Sequence, residues 1–296
     1  MHVLITGGTG LIGQALRQAL VAEGHRVSIL SRSGGDFTWD VKKGYFQPEA
    51  LVGVDAVVHL AGAGIAEKRW TAARKKELIG SRVDSSALLI HALKTIPNQV
   101  RVVVSSSAIG YYGADSGELN CEETSLAGSD FLAECTQAWE ASVAGVEALG
   151  IRLVKFRIGL VLSAKGGIFP VLCRPIRYLV GAVLGSGKQW QSWIHVNDLV
   201  GMFLLGLHDE SLKGVFNAVS PGAIRHREMT QKIARAMHRP LLLPPVPGFL
   251  LRMALGEMAC LVLGGNLVSA EKIQKEGKFT FTYTRLEDAL KELLHG

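Results

Sequence analysis

The feature that most constrains this chain lies at its start. A strand-like run, His2-Val3-Leu4-Ile5-Thr6, feeds directly into Gly7-Gly8-Thr9-Gly10-Leu11-Ile12-Gly13, and an amphipathic pattern then runs from Leu11 to Glu23. Glycines at 7, 10 and 13 in that setting permit a tight turn, close approach of backbone to a ligand, and close packing of helix on sheet. The first turn of the helix adds unpaired N–H groups and the positive end of its dipole. Strand, glycine turn and helix together predict a pyrophosphate cradle, and hence a dinucleotide site, with Gly7, Thr9, Gly10, Leu11, Ile12 and Gly13 along the phosphates.

The rest of the first half repeats the alternation. Apolar runs at Val3 to Thr6, Arg26 to Leu30, Ala56 to Leu60, Val100 to Ser105 and Leu153 to Ile158 are separated by helical patterns from Leu11 to Glu23, Ala72 to Lys94 and Phe131 to Leu149. Near-continuous Val, Ile and Leu without polar alternation is what a parallel sheet covered on both faces requires. The expected class is α/β, a Rossmann-type doubly wound parallel sheet. After about residue 165, Gly and Pro become frequent, two short strands follow at Trp193 to Val196 and Val215 to Ala218, and a proline cluster spans Pro240 to Pro247. Residues 1–165, with about 190–220, are expected to form the dinucleotide-binding domain, and 166–189 with 221–296 a smaller, mainly helical substrate lobe.

The second strand tells the cofactor. A site for NAD normally places an Asp or Glu about 20 residues beyond the glycines to bond the ribose 2′-hydroxyl. Here the strand ends in Ser31-Arg32-Ser33. A guanidinium cannot accept a hydrogen bond, but it pairs with and stacks beside a 2′-phosphate. The expectation is NADP(H). Asp40 faces the adenine or serves a turn.

Composition narrows the partners. With 48% hydrophobic and 20% charged residues the 296-residue chain is ordinary globular protein. Its net charge of +6 is scattered apart from Arg74-Lys75-Lys76, which reads as a solvated helix face. No nucleic-acid partner is expected, while the positive balance favours an anionic cofactor or substrate. Cys121, Cys135, Cys173 and Cys260 have no C-x-x-C or zinc spacing, so no metal is expected and they read as reduced thiols of a cytoplasmic protein. The greasiest stretch, Val246 to Leu263, is broken by Arg252, Gly256 and Glu257, and no membrane span is expected.

Several stretches carry a family likeness. The glycine turn, His59-Leu60-Ala61-Gly62, and Ser105-Ser106-Ser107 with Tyr111-Tyr112-Gly113 resemble the extended short-chain dehydrogenase/reductases. Arg69-Trp70, Ile79-Gly80-Ser81-Arg82, Ala138-Trp139-Glu140, Arg157 to Leu162, Gly185 to Gln189 and Trp193 to Val196 with Asp198 resemble an atypical branch described as NAD(P)-dependent nucleoside-diphosphate-sugar epimerases. The resemblance implies that His59 and Leu60 lie along the cofactor and that Ala61 and Gly62 give backbone room. It implies that Arg82 and Glu77 reach the ribose or nicotinamide side, unless they are a helix-surface ion pair, and that Gly159 and Leu160 pass the carboxamide. It also allows a homodimer.

Short-chain dehydrogenases pair Tyr with Lys four residues on, sharing one helix face so that the lysine charge lowers the phenol pKa and lets it exchange a substrate proton. Counted from Ser107, the expected positions hold Phe131 and Cys135. Phe has no proton to give and a neutral thiol no positive field. The catalytic candidates are therefore Ser107, Tyr111 and Tyr112. Cys135 reads as buried or as a reactive thiol. His195 and Asp198 either enter the substrate pocket or anchor a loop and cap a helix. Gly185 to Gln189, with Lys188, reads as an anion cradle or a surface turn. Two functions stay open: an NADP(H)-dependent oxidoreductase or epimerase acting on a small anionic metabolite such as a nucleotide sugar, and a non-catalytic NADP(H)-binding sensor or regulatory module.

Overall fold

The apolar run at the N-terminus becomes β1 (His2–Thr6), in which every residue is buried. The computed structural model describes residues 1–295, which divide into two compact units. Unit 1 comprises Met1–Ala108, Glu134–Arg157 and Val200–Phe216; unit 2 comprises Ile109–Ala133, Ile158–Leu199 and the chain from Asn217 onward.

Unit 1 is built on one eight-stranded sheet. In chain order its elements are β1, α1 (Leu11–Ala22), β2 (Arg26–Ser31), β3 (Phe37–Asp40), β4 (Tyr45–Phe46), β5 (Ala56–His59), α2 (Ala72–Thr95) and β6 (Val102–Ala108). After β7 (Asn120–Cys121), which belongs to unit 2, come α3 (Phe131–Val143) and β8 (Arg152–Ile158). The sheet order is β13-β8-β6-β5-β1-β2-β3-β4, where β13 is Gly214–Ala218. β1 pairs in parallel with β2 on one side and β5 on the other, so the chain reverses its direction of winding between β1 and β5. Ligands of open α/β sheets bind at that switch point, beyond the carboxyl ends of the strands. Beneath it, Leu4, Leu30, Val57, Leu89 and Val103 form part of a buried apolar cluster.

Three expectations shift in detail. β3 and β4 were not legible as strands, because four and two residues give no periodicity. The last turns of the pattern from Phe131 tighten into a 3₁₀ segment, Ala144–Leu149, where Gly145 weakens the α-helix. The cluster Arg74-Lys75-Lys76 is not simply solvated: Arg74 is 5% exposed and bonds the Gly64 carbonyl, Glu67 and Glu77.

Unit 2 holds β9 (Leu160–Ser163), β10 (Gly166–Gly167), α4 (Ile168–Arg177), β11 (Trp190–Gln191) and β12 (Trp193–His195), followed by α5 (Val196–His208), which runs on into unit 1. After β13 come β14 (Ile224–Arg225), α6 (His226–Ala236), α7 (Gly248–Leu255), α8 (Cys260–Leu263), β15 (Leu267–Val268), α9 (Glu271–Lys275) and α10 (Leu286–His295). Its strands form a small sheet, β10-β9-β12, and two pairs, β11-β14 and β15-β7. Trp193, Phe169, Met229, Ile233 and Leu290 belong to its core. The division differs from the expected one, since residues 109–133, 158–165, 190–199 and 217–220 group with unit 2: β9 pairs with β12 instead of extending the large sheet. Val196 begins a helix, so the expected strand ends at His195. The apolar stretch from Val246 forms the short helices α7 and α8, and among the described residues no helix is long and apolar enough to cross a membrane.

Candidate functional site

The glycine turn sits at the β1–β5 switch point, and its glycines are needed for different reasons. Gly7 has φ +70°, and a Cβ there would lie 2.8 Å from the Leu60 backbone. At Gly13 a Cβ would meet Gly8 Cα at 2.5 Å, which is the close packing of α1 on the turn. Gly10 is exposed, and its Cβ would meet only the Gly7 carbonyl, at 3.3 Å. The protein's own packing therefore resists a side chain at 10 far less than at 7 or 13, asking only a small shift of the Gly7 carbonyl; a ligand lying against the backbone would exclude it. Gly10 is also the N-cap of α1 and supplies no side-chain cap, which leaves the first-turn N–H groups for an anion. These residues fit a pyrophosphate.

Beside the turn lies a groove of about 720 Å³ lined by Gly8, Thr9, Gln14, Arg17, Gln18, Ile29 and Gly34 among others. Arg32 follows β2 and is exposed, while Ser31 is buried and donates to the Ser33 carbonyl at 2.6 Å. Asp36 holds this loop by accepting from the Ile29 N–H at 2.7 Å. Arg17 and Gln18 were missed in the sequence, although Gln14, Arg17, Gln18 and Val21 have the i, i+3, i+4, i+7 spacing of one helix face. Asp40 resolves as a turn residue, accepting from the N–H groups of Lys42 and Lys43.

On the other side of the switch point the expected roles change. The His59 side chain is fully buried, 2.8 Å from Thr6 Oγ1 through Nδ1 and near Ser86 Oγ through Nε2, and burial lowers its pKa to about 4. Only its backbone remains for a cofactor, and the carbonyl already accepts from Ser106 Oγ. Leu60 and Ala61 are half-buried in the turn that Gly7 touches. Glu77 pairs with Arg74 at 2.8 Å, not with Arg82. Arg82 donates to the Leu78 and Ala63 carbonyls and lies 4.8 Å from the Trp139 ring centroid. It braces the segment after β5.

Ser107 is buried and donates to Glu140 Oε1 at 2.6 Å; Arg157 grips the same carboxylate through Nε at 2.8 Å and Nη2 at 3.0 Å. Phe131 opens α3 and Cys135 follows one turn later. Cys135 is buried, and burial pushes its thiol up while the Arg82 charge offsets part of that rise. A buried thiol held protonated is not a nucleophile.

In unit 2, Tyr112 is buried and donates to Asn217 Oδ1 at 2.7 Å, whereas Tyr111 is half-buried and meets the Tyr112 ring edge-on. His195 is fully buried, lies 2.8 Å from Glu292 through Nε2, and accepts from the Asn197 N–H through Nδ1. Asp198 accepts from the N–H groups of Thr282 and Tyr283 at 2.9 and 3.0 Å. Both are anchors of the chain, which decides between the two roles read from the sequence. The N–H groups of Gly159 and Leu160 are spent on the Ala218 and Ser192 carbonyls. The turn from Gly185 to Gln189 gathers Lys188 with Arg225 and Arg227, which donate to the Lys188 and Ser186 carbonyls.

The family model described as "NAD dependent epimerase/dehydratase family" matches residues 3–219. The chain belongs to that family. A second model, a domain of unknown function, matches residues 246–293. The epimerase family protein YfhF of Bacillus subtilis is 33% identical over 99% of this chain and 98% of its own. A crystal structure of human epimerase family protein SDR39U1 with NADPH is similar at 31% identity and a TM-score of 0.88, covering 99% of both chains. A nucleoside-diphosphate sugar epimerase from Corynebacterium glutamicum is similar at 29% identity and a TM-score of 0.81, over 99% of this chain and 58% of that one. The fold is thus that of the extended short-chain dehydrogenases, and the family is one of NAD(P)-dependent epimerases and oxidoreductases.

Proposed function

We propose that this protein binds NADP(H) on the glycine turn and acts as an oxidoreductase or epimerase on a carbonyl or hydroxyl of a small anionic metabolite of the nucleotide-sugar kind. The observation that carries the reading is Gly10, an exposed helix cap where the protein's own packing resists a side chain far less than at Gly7 or Gly13. Arg32 at the end of β2 supports NADP(H) over NAD(H), and the NADPH named with the human relative agrees with it. Bound cofactor supplies or accepts the hydride. Gly7, Thr9, Leu11, Ile12 and Gly13 hold its phosphates, Ser31 and Arg32 its adenosine end, and the backbones of His59, Leu60 and Ala61 its far half. Ser107, Tyr111 and Tyr112 handle the substrate proton, with Tyr111 the phenol not committed to Asn217. Lys188 and Arg227 favour an anionic substrate, whereas the Arg225 charge is already met by Glu118. A homodimer and a reducing, cytoplasmic setting for the four free thiols complete the reading.

Specific observations also favour a second reading, an NADP(H)-binding sensor without turnover. Phe131 and Cys135 replace the usual acid–base pair, Ser107 is committed to Glu140, and Tyr112 to Asn217. Fluorescence titration with NADPH and NADH, repeated on Arg32→Ala, tests the cofactor. Loss of about 1.5–3 kcal/mol for NADPH alone is expected for a charge-assisted phosphate contact. Equal affinity of the intact protein for both cofactors would sink it. NADPH oxidation with a panel of sugar nucleotides and keto compounds separates the two readings, silence with tight binding selecting the sensor.

A further inference from the structure

Away from the glycine turn, unit 1 brings together three metal-ligating side chains from distant stretches of sequence. Glu23 caps the C-terminus of α1, His25 follows in the turn to β2, and His208 ends α5. His25 Nε2 lies 3.1 Å from His208 Nε2 and 3.4 Å from Glu23 Oε2, and His208 Nε2 lies 3.9 Å from the same oxygen. Among the described residues this is the group of three His, Cys, Asp or Glu whose ligand atoms lie within 4.8 Å of one another.

The separations match one metal ion. A circle through three atoms so spaced has a radius of about 2.0 Å, the length of a zinc–imidazole or zinc–carboxylate bond. An ion at its centre, or just off it, reaches all three donors with little movement. The imidazole planes are tilted by 49° with centroids 5.2 Å apart, so the rings meet through their nitrogen tips and do not stack. Two helices, α1 and α5, end here, and the partial negative charge at each C-terminus favours a cation. His25 Nδ1 lies 3.3 Å from the Met1 amine. Metal on Nε2 leaves the proton on Nδ1, so the Met1 ammonium, itself a donor to Nδ1 here, then turns away.

We propose that Glu23, His25 and His208 form a divalent-metal site of the zinc class, with three protein ligands and a fourth position open to water. Imidazole nitrogens with one carboxylate suit zinc and its neighbours and discriminate against magnesium and calcium. The Glu23 and His208 side chains are 44% and 43% exposed, so the ion exchanges with solvent and the site fills according to metal supply. Occupancy ties the α1–β2 turn to the end of α5, elements 183 residues apart in sequence.

The test uses the full chain, freed of metal with a chelator and titrated with Zn²⁺ by calorimetry and against a chromophoric competitor. One zinc per chain and a raised Tm are expected, with no change on adding Mg²⁺. His25→Ala and His208→Ala should each weaken binding roughly tenfold or more, since even loss of an outer-shell partner costs that much, and abolish the rise in Tm. Absence of stoichiometric binding, or binding undiminished in both variants, overturns the proposal. Should a variant misfold, an anomalous zinc peak in crystals of the unaltered protein decides: between the three side chains it supports the site, and only elsewhere it refutes it.

Discussion

Replacing Arg157 with Met removes a guanidinium while keeping a side chain of similar length. Glu140, whose side chain is 9% exposed, then keeps only the Ser107 hydroxyl of the three bonds now made to its oxygens by Arg157 and Ser107. Stranding one member of a buried pair costs about 3–5 kcal/mol, whereas replacing both members by apolar groups of like volume is often near neutral. Arg157→Met should therefore lower the unfolding free energy by about that amount, and Arg157→Met with Glu140→Gln, which removes the stranded charge and keeps an oxygen for the Ser107 hydroxyl, should recover part of it. Ser107→Ala, which deletes a 2.6 Å bond to an ionised acceptor, should cost about 1.5–3 kcal/mol. Urea denaturation followed by circular dichroism on the three variants makes the measurement. A loss below about 1 kcal/mol in Arg157→Met, or a double variant no better than the single, would show that the guanidinium does not hold this carboxylate. The outcome bears on chemistry, because a Ser107 hydroxyl bound this firmly to Glu140 offers a substrate its lone pairs more readily than its proton.

The glycine turn separates packing from binding: Gly13→Ala should destabilise by about 1–3 kcal/mol through the 2.5 Å clash with Gly8. Gly10→Ala should destabilise much less than Gly13→Ala but lose NADPH affinity, and unchanged affinity would argue against a ligand on that backbone. Tyr112→Phe should cost about 1–3 kcal/mol by orphaning the buried Asn217 oxygen. Buried His59 and His226, both lowered to about 4 by burial, stay neutral in the folded protein while their unfolded counterparts take up protons below about 6.5. Stability should thus be full above that pH and fall by up to roughly 1.4 kcal/mol per unit per histidine as pH drops towards 4, a slope that His59→Gln should flatten.

Much of unit 1 was legible because its signals are periodic and local. The glycine turn, the five apolar runs and Arg32 at a strand end each occupy one short stretch of sequence, and each maps onto an element or its end. What escaped was long-range. That His59 turns inward depends on Thr6 and Ser86, distant in sequence, and the pairing of Glu77 with Arg74 in place of Arg82 depends on helix geometry. Nothing near Asp198 announces that it bonds residues 282 and 283, so its reading as a pocket residue or an anchor had to wait for the fold. β4, with two residues, lies below the length at which alternation carries information.

The sheet of unit 1 also fixes an order of events during synthesis. Its strand β8 is flanked by β6, made earlier, and by β13, whose residues begin at Gly214. Until that segment leaves the ribosome, the outer edge of β8 presents unpaired peptide groups, the kind of edge that recruits other chains. A nascent chain stalled in the fifty or so residues between Ile158 and Gly214 therefore carries an open strand edge that the finished sheet closes.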